Sequence, residues 1–302
     1  MPVQSLGIDI GGTSIKAGIV GPRGLEGEIR QVPTPSHPDA IIDTTLALAK
    51  SFPVQPTVGV AVAAFLDPAR THVEFSPNIA WDGRPLRHEL EEGLQLPVVL
   101  ENDANAAGYG EYVLGAGQQA SPMVMLTLGT GVGGAVILDG KLLAGARGVA
   151  GELGHIVVNP GGAVCGCGQR GCVETVSSGT ALMTMARQAL GIEINSTHAL
   201  KQALVDAPEL RKTLLNTMAE GIIGALLQIQ AVVDPALSVI GGGVTERLGA
   251  ELFDALDRLK DDALDGRRSV AFPPIVPAEL GNSAGIIGAG LLAQRHDVHS
   301  AH

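Results

Sequence analysis

Aromatic residues are scarce in this chain: one Trp, two Tyr and five Phe, or 3% of 302 residues. Any core must therefore be built from Ala, Val, Leu and Ile, within a hydrophobic content of 45%. Basic residues are few as well. Twenty Lys and Arg against 31 Asp and Glu leave a net charge of −11, which excludes a broad surface for nucleic acid or an anionic membrane. An anionic substrate would need a local pocket of backbone N–H groups and a few cations. Long apolar runs are missing too. Stretches such as Val58–Leu66 fall well short of the roughly 20 residues that span a bilayer. The segment Met1-Pro2-Val3-Gln4-Ser5 carries no basic targeting region. The three cysteines all lie within Cys165–Cys172, whereas a disulfide framework would spread them out. They point to a cytoplasmic, metal-binding protein.

Glycine is abundant. Its 41 residues are about twice the usual ~7%, a sign of tight turns or of backbone that approaches a ligand closely. The length favours two lobes sharing a cleft. Leu6, Ile8 and Ile10, then Gly11-Gly12-Thr13, then Ile15–Val20 read as strand, turn and strand. His37–Lys50 has helical apolar spacing, and Val58–Val62 and Pro97–Leu100 suit buried strands, the second leading to a helix from Asn102. Met123–Ile137 repeats the opening device, apolar strand, Gly/Thr turn, apolar strand, which predicts a second lobe of similar topology. Further on, Leu210, Leu214, Met218, Ile222, Ala225 and Ile229 follow helical spacing, Leu237–Ile240 is a strand, and a small-residue helix over about Ser283–Gln294 should bury one side. Strands alternating with helices make the fold class α/β. The lobes are placed at 1–118 and 119–282, with the last helix, about 283–302, packing back on the first.

Five segments carry chemistry. In Asp9-x-Gly11-Gly12-Thr13-x-x-Lys16, a glycine turn lets backbone N–H groups face phosphate oxygens. Thr13 and Lys16 add donors, and Asp9 can hold Mg²⁺ through water; an ordinary Gly-Gly hairpin is the plain alternative. Gly129-Thr130-Gly131-x-Gly133-Gly134 is a second such turn, and two together can clamp one polyphosphate. Gly241-Gly242-Gly243 after a strand lets backbone lie against a nucleotide base, or else is a strand-to-helix turn. Asp103, just after a buried strand, stands where a helix cap belongs. It is also where a general base could accept a sugar hydroxyl's proton during phosphoryl transfer. His155-x9-Cys165-x-Cys167-x4-Cys172 supplies four ligands for a closed, structural Zn²⁺ site.

The run Gly151-Glu152-Leu153-Gly154-His155, followed by Cys165-Gly166-Cys167-Gly168-Gln169-Arg170-Gly171-Cys172-Val173-Glu174, resembles the signature of the ROK family of sugar kinases. Asp9–Lys16, Glu101–Asn105 and Gly129–Gly134 match that family in order and spacing, so the resemblance covers nearly the whole chain. Ser76–Trp81 and Glu101–Ala107 are most similar to the bacterial ROK glucokinases. The resemblance implies a two-lobed, actin-like or hexokinase-like ATPase fold that phosphorylates a hexose, glucose first, from ATP. It implies that Asn102, Asp103, Glu152, His155 and Glu174 contact the sugar, with Asp103 as base, and Asn78 matches a further sugar-side position. Gly11–Thr13 and Gly129–Gly131, with Thr130, would hold the phosphates, and Gly242 and Gly243 the base. A homodimer or homotetramer is expected. Polyphosphate as donor and another hexose as acceptor are the alternatives within the class. A ROK repressor would need an N-terminal helix-turn-helix, whereas the first phosphate strand here begins by Leu6. One residue departs from the pattern: Ala64 stands where the glucokinases usually carry Gly. A methyl aimed at the sugar would alter hexose preference, and one aimed away would act on stability alone. The neighbouring Pro77-Asn78 segment favours the first.

Overall fold

The computed structural model describes residues 4–53, 55–76, 79, 81, 83–264 and 271–300. Strand β1 (Ser5–Ile10) turns into antiparallel β2 (Ser14–Gly21), and β3 (Gly24–Pro33) folds back on β2. Helix α1 (Pro38–Lys50) opens on a proline, whose fixed φ suits a first helical position. Strand β4 (Val58–Val62) pairs parallel with β1 and is buried at every residue, as a strand covered on both faces must be. A small ribbon of β5 (Phe65–Leu66) and β6 (Val73–Phe75) follows, then α2 (Leu86–Leu94). Strand β7 (Val98–Asn102) adds parallel to β4 and runs straight into α3 (Asp103–Leu114). The sheet order is β3-β2-β1-β4-β7.

The pattern then recurs. After β8 (Met123–Leu128), β9 (Val132–Leu138) and β10 (Lys141–Leu142) come the cysteine segment and four helices: α4 (Glu174–Ser177), α5 (Gly179–Leu190), α6 (Thr197–Val205) and α7 (Pro208–Val233). Strand β11 (Leu237–Gly241), helices α8 (Gly243–Leu248) and α9 (Ala250–Leu264), β12 (Ile275–Pro277) and α10 (Ala284–Ser300) complete the chain. The second sheet runs β10-β9-β8-β11-β12. Counted within each sheet, both orders are third, second, first, fourth, fifth. The repeat of strand, glycine turn and strand is thus a repeat of topology.

Packing divides the chain into two compact units. The first comprises Met1–Gln119, Ala135–Gly151 and Asn282–His302, and the second Ala120–Gly134 and Glu152–Gly281. Ala135–Gly151 therefore groups with the first unit, although the single stretch 119–282 was expected to form the second lobe. The cause is local packing: a Cβ built on Gly108 of α3 would lie 2.4 Å from that of Ala135. Arg295 of α10 also donates to the Gly140 carbonyl and the Tyr109 hydroxyl.

In the first unit α10 lies directly on the sheet. A Cβ at Gly59 of β4 would stand 1.9 Å from the Ala289 carbonyl oxygen, and one at Gly288 1.7 Å from that of Ala106 in α3. The helix is consequently buried on both sides rather than one, with Ala284, Ile286, Ile287, Ala289 and Ala293 all inside. In the second unit α7 buries Leu214, Met218, Ile222, Ala225 and Ile229, one face of a helix. Among the described residues, no helix is long and apolar enough to cross a membrane.

Candidate active site

The first glycine turn is closed by its own backbone. The Gly11 N–H donates to the Ser14 carbonyl at 3.1 Å, and Thr34 pins the turn from β3's far end. Its hydroxyl donates to the Gly11 carbonyl at 2.6 Å and its N–H to that of Thr13 at 3.1 Å. Gly12 and Thr13 stay exposed at the tip. Asp9 and Lys16 face each other as cross-strand partners. Burial raises the Asp9 pKa above the usual carboxylate value, and the Lys16 charge opposes that rise.

At the end of β7, Asn102 is the cap of α3. Its Oδ1 accepts from Ala104 N at 2.9 Å and Asn105 N at 3.1 Å. The position of a helix cap is therefore filled by Asn102, and Asp103 is the first helical residue, half-buried, with its Oδ1 2.9 Å from Ala104 N. The Asn102 amide donates to the Ala64 carbonyl at 3.2 Å. Here the expectation for Ala64 is corrected. The residue is 3% exposed and belongs to the hydrophobic core with Ile10, Val62 and Leu66, so its methyl fills the core while its carbonyl serves the site. Ala64→Gly should cost about 1–2 kcal/mol, from a lost buried methyl and a freer unfolded chain, and leave the glucose-to-mannose ratio of kcat/KM unchanged. A changed ratio with unaltered Tm would return the methyl to the sugar. Asn78 lies outside the described residues.

In the second unit the glycine turn after β8 is held from three sides. Gly129 N–H donates to the Gly131 carbonyl at 2.9 Å, and Gly179 N–H to the Gly129 carbonyl at 2.8 Å. The third hold is Glu174, whose Oε2 accepts from Val132 N at 3.0 Å. A Cβ on Gly131 would sit 2.3 Å from that oxygen, so Gly131 makes room for a carboxylate. The other oxygen, Oε1, is 3.4 Å from the Cys165 thiol. Sequence reading assigned Glu174 to sugar alone; its bond to Val132, just after the Gly129–Gly131 turn, is a contact across 42 positions, which no local pattern reveals. Gly131→Ala should push the carboxylate off Val132 and raise KM for ATP about tenfold, the weight of one charge-assisted hydrogen bond. Steady-state titration of ATP at saturating sugar tests this, and an unchanged KM would remove the bond from any functional role.

Beyond β11 the backbone takes a conformation that favours glycine. Gly242 has φ 93°, and a Cβ there would meet the Leu128 carbonyl oxygen at 2.5 Å. Beside it opens a cavity of about 540 Å³ lined by Ile240, Gly242, Thr245, Ala250, Phe253 and Ala278, a volume within the range of small-molecule pockets. Gly243 is the first residue of α8.

The four proposed zinc ligands converge. One atom from each of His155, Cys165, Cys167 and Cys172 lies within 4.8 Å of all the others. His155 Nδ1 is 3.6 Å from Cys165 Sγ, and the sulfurs of Cys167 and Cys172 are 3.7 Å apart. A tetrahedral ion with bonds of about 2.3 Å to sulfur and 2.0–2.1 Å to nitrogen would place these pairs about 3.6 and 3.8 Å apart. The donor set thus fits zinc in chemistry and spacing. Burial pushes the Cys165 thiol up to about 12. Cys167 lies below the ordinary thiol value because the Gln169 backbone N–H and the neighbouring thiols outweigh its burial. One divalent cation at the centre would let all three sulfurs ionise together. Glu152 precedes a 3₁₀ turn, Leu153–His155, and is half-buried.

The model of the ROK family matches residues 5–296. A curated relative, the glucokinase of Streptomyces coelicolor, is 36% identical over 97% of this chain and 98% of its own length. Among solved structures, the ROK hexokinase of Thermus thermophilus superposes with a TM-score of 0.87 at 34% identity, covering 99% of this chain and 100% of that one. A ROK glucokinase from Streptomyces griseus, in complex with glucose and AMPPNP, gives 0.83 at 35% identity, covering 97% and 99%.

Proposed function

The chain belongs to the ROK family, and from that premise we propose that it transfers the γ-phosphoryl group of ATP to the terminal hydroxyl of a hexose, glucose first. The observation that carries the reading is at the end of β7. Asn102 caps α3 and Asp103 is the first helical residue, and its carboxylate is assigned to take the proton of the attacking hydroxyl as its oxygen bonds to phosphorus. Asn102, Glu152, His155 and Glu174 are assigned to the ring hydroxyls, where amides and carboxylates accept and donate in pairs. Asn78 joins them by resemblance. With Nδ1, which lies 3.6 Å from Cys165 Sγ, on a bound zinc, His155 would present Nε2–H as a donor of fixed tautomer.

The backbone of Gly11, Gly12 and Thr13, with Lys16, and that of Gly129, Thr130 and Gly131 are assigned to the phosphates. Gly242 and Gly243 are assigned to the nucleoside. The cavity beside Gly242 supports a nucleotide rather than polyphosphate as donor, because a bare phosphate chain has nothing to fill a largely apolar pocket. Asp9 would hold Mg²⁺, which would supply neutralisation of phosphate charge when bound. Zinc in the His155–Cys172 cluster is structural, since all four positions are taken by protein.

Phosphorylation assayed across glucose, mannose, fructose and N-acetylmannosamine, each with ATP and with polyphosphate, tests the assignment. The expected result is the highest kcat/KM for glucose with ATP. A higher value for another sugar would move the substrate, and no transfer to any hexose would end the reading.

A further inference from the structure

Arg70 was singled out by no motif, yet its backbone and side chain are both held in unusual ways. It closes the turn that begins at Asp67, with its N–H donating to the Asp67 carbonyl at 2.9 Å, and it has φ 56°. That region is costly for a long side chain and nearly free for Gly or Asn. The turn itself makes no demand for arginine. Its shape is set by the Asp67 carboxylate, which accepts from Thr71 N at 2.5 Å, His72 N at 2.6 Å and the Thr71 hydroxyl at 2.9 Å. The strain is tolerated for what the guanidinium does.

That guanidinium is turned inward. The Arg70 side chain is 14% exposed and that of its partner, Glu101, 11%. Arg70 Nε lies 3.1 Å from Glu101 Oε1 and 3.2 Å from Oε2. Nη1 donates to the Gly148 carbonyl at 3.1 Å and to that of Asp67 at 3.4 Å. Gly148 leaves room for this contact: a Cβ there would lie 2.7 Å from Nη1 and 2.9 Å from the Leu66 carbonyl oxygen. Glu101 in turn holds the strand-to-helix junction. Its Oε1 accepts from Asn102 N at 2.9 Å and from Asn105 Nδ2 at 3.1 Å. One cation therefore ties the turn at 67–72, the junction at 101–105 and the loop at Gly148. A buried carboxylate deprived of its cation is strongly unfavourable, and this one is one residue from Asn102 and two from Asp103.

We propose that Arg70 is a positioning residue for phosphoryl transfer: through the buried Glu101 carboxylate it sets where Asn102 and Asp103 stand. The inference rests on the reading of Asp103 as base. It concerns the geometry of proton removal and leaves donor binding alone. Loss of the guanidinium should lower kcat by roughly 10- to 100-fold, as displacements of about 1 Å do, with KM for ATP within about twofold of wild type.

The test compares Arg70→Met, Arg70→Lys, Glu101→Gln and the double variant Arg70→Met/Glu101→Gln, with Asp103→Asn alongside. Kcat, KM for each substrate and Tm are read for each. Arg70→Met is expected to lose kcat, Arg70→Lys to keep part of it, and the double variant to recover toward Glu101→Gln, because it carries no unpaired buried charge. Additive losses in the double variant, or kcat falling together with ATP affinity, would reduce Arg70 to a structural residue. If Arg70→Met fails to fold, Arg70→Lys and the double variant decide: wild-type kcat in both overturns the proposal. Asp103→Asn with normal turnover would instead remove the base reading itself, so the two failures are distinguishable.

Discussion

Asp103→Asn is expected to bind glucose with near-wild-type affinity while kcat falls by about 10²-fold or more. The substitution keeps the shape of the side chain and its oxygen 2.9 Å from Ala104 N, and it leaves the Asn102 cap untouched. Helix α3 should therefore keep its start, and Tm should move little. What is lost is the ability to take a proton. The attacking hydroxyl must shed its proton as the oxygen–phosphorus bond forms, and an amide cannot accept it. Isothermal titration with glucose, set beside kcat from a coupled assay, separates binding from chemistry. Turnover near wild type would remove Asp103 from the reaction; a large loss of glucose affinity with kcat retained would make it a binding residue only.

Much of the fold was legible because it is written in local patterns. The apolar strands flanking Gly11-Gly12-Thr13 and Gly129-Thr130-Gly131 are periodic over a few residues, and each does open a sheet. The cysteine cluster was legible for a similar reason: its ligands sit close in the chain, and glycines at Gly168 and Gly171, both at positive φ, let the loop wrap around them. What stayed hidden depends on distant partners. Nothing near Ala64 in the chain says that it is buried in the core, since that follows from distant residues such as Ile10 and Leu100 that share its hydrophobic cluster. The Arg70–Glu101 pair joins positions 31 residues apart, and an arginine in a polar turn looks like any solvated charge. The grouping of Ala135–Gly151 with the first unit likewise rests on a glycine in α3 whose role is visible only beside Ala135.

Removing the metal should do more than loosen a loop. Protein purified without chelator is expected to carry about one zinc per chain, and Cys167→Ser to lower that content sharply. The backbone of the loop is already knitted, with Cys165 N donating to the Gln169 carbonyl at 2.8 Å and Val173 N to that of Ile156 at 2.8 Å, so folding of the unit should survive. Loss of a structural ion still ranks among large single effects. A cost of ~3 kcal/mol would lower Tm by roughly 6–12 °C. Sugar KM should rise by about 10- to 100-fold, the usual scale when a ligand's orienting shell is lost, because His155 and Glu174 are carried by this loop. The geometry adds a second consequence. Glu174 touches Cys165 through Oε1 and accepts through Oε2 from Val132 N, at the start of β9 beside the Gly129–Gly131 turn assigned to the phosphates. A loop that shifts when the metal leaves drags that carboxylate, so ATP affinity should weaken as well. Titrating an ATP analogue without sugar, in Cys167→Ser and in chelator-treated wild type, reads this directly. Weakened nucleotide binding in both would place the zinc loop under the donor turn as well as the acceptor. Unchanged nucleotide affinity with raised sugar KM would confine the metal to the sugar side, and full zinc loss with unchanged Tm and KM would deny it any part in holding the site.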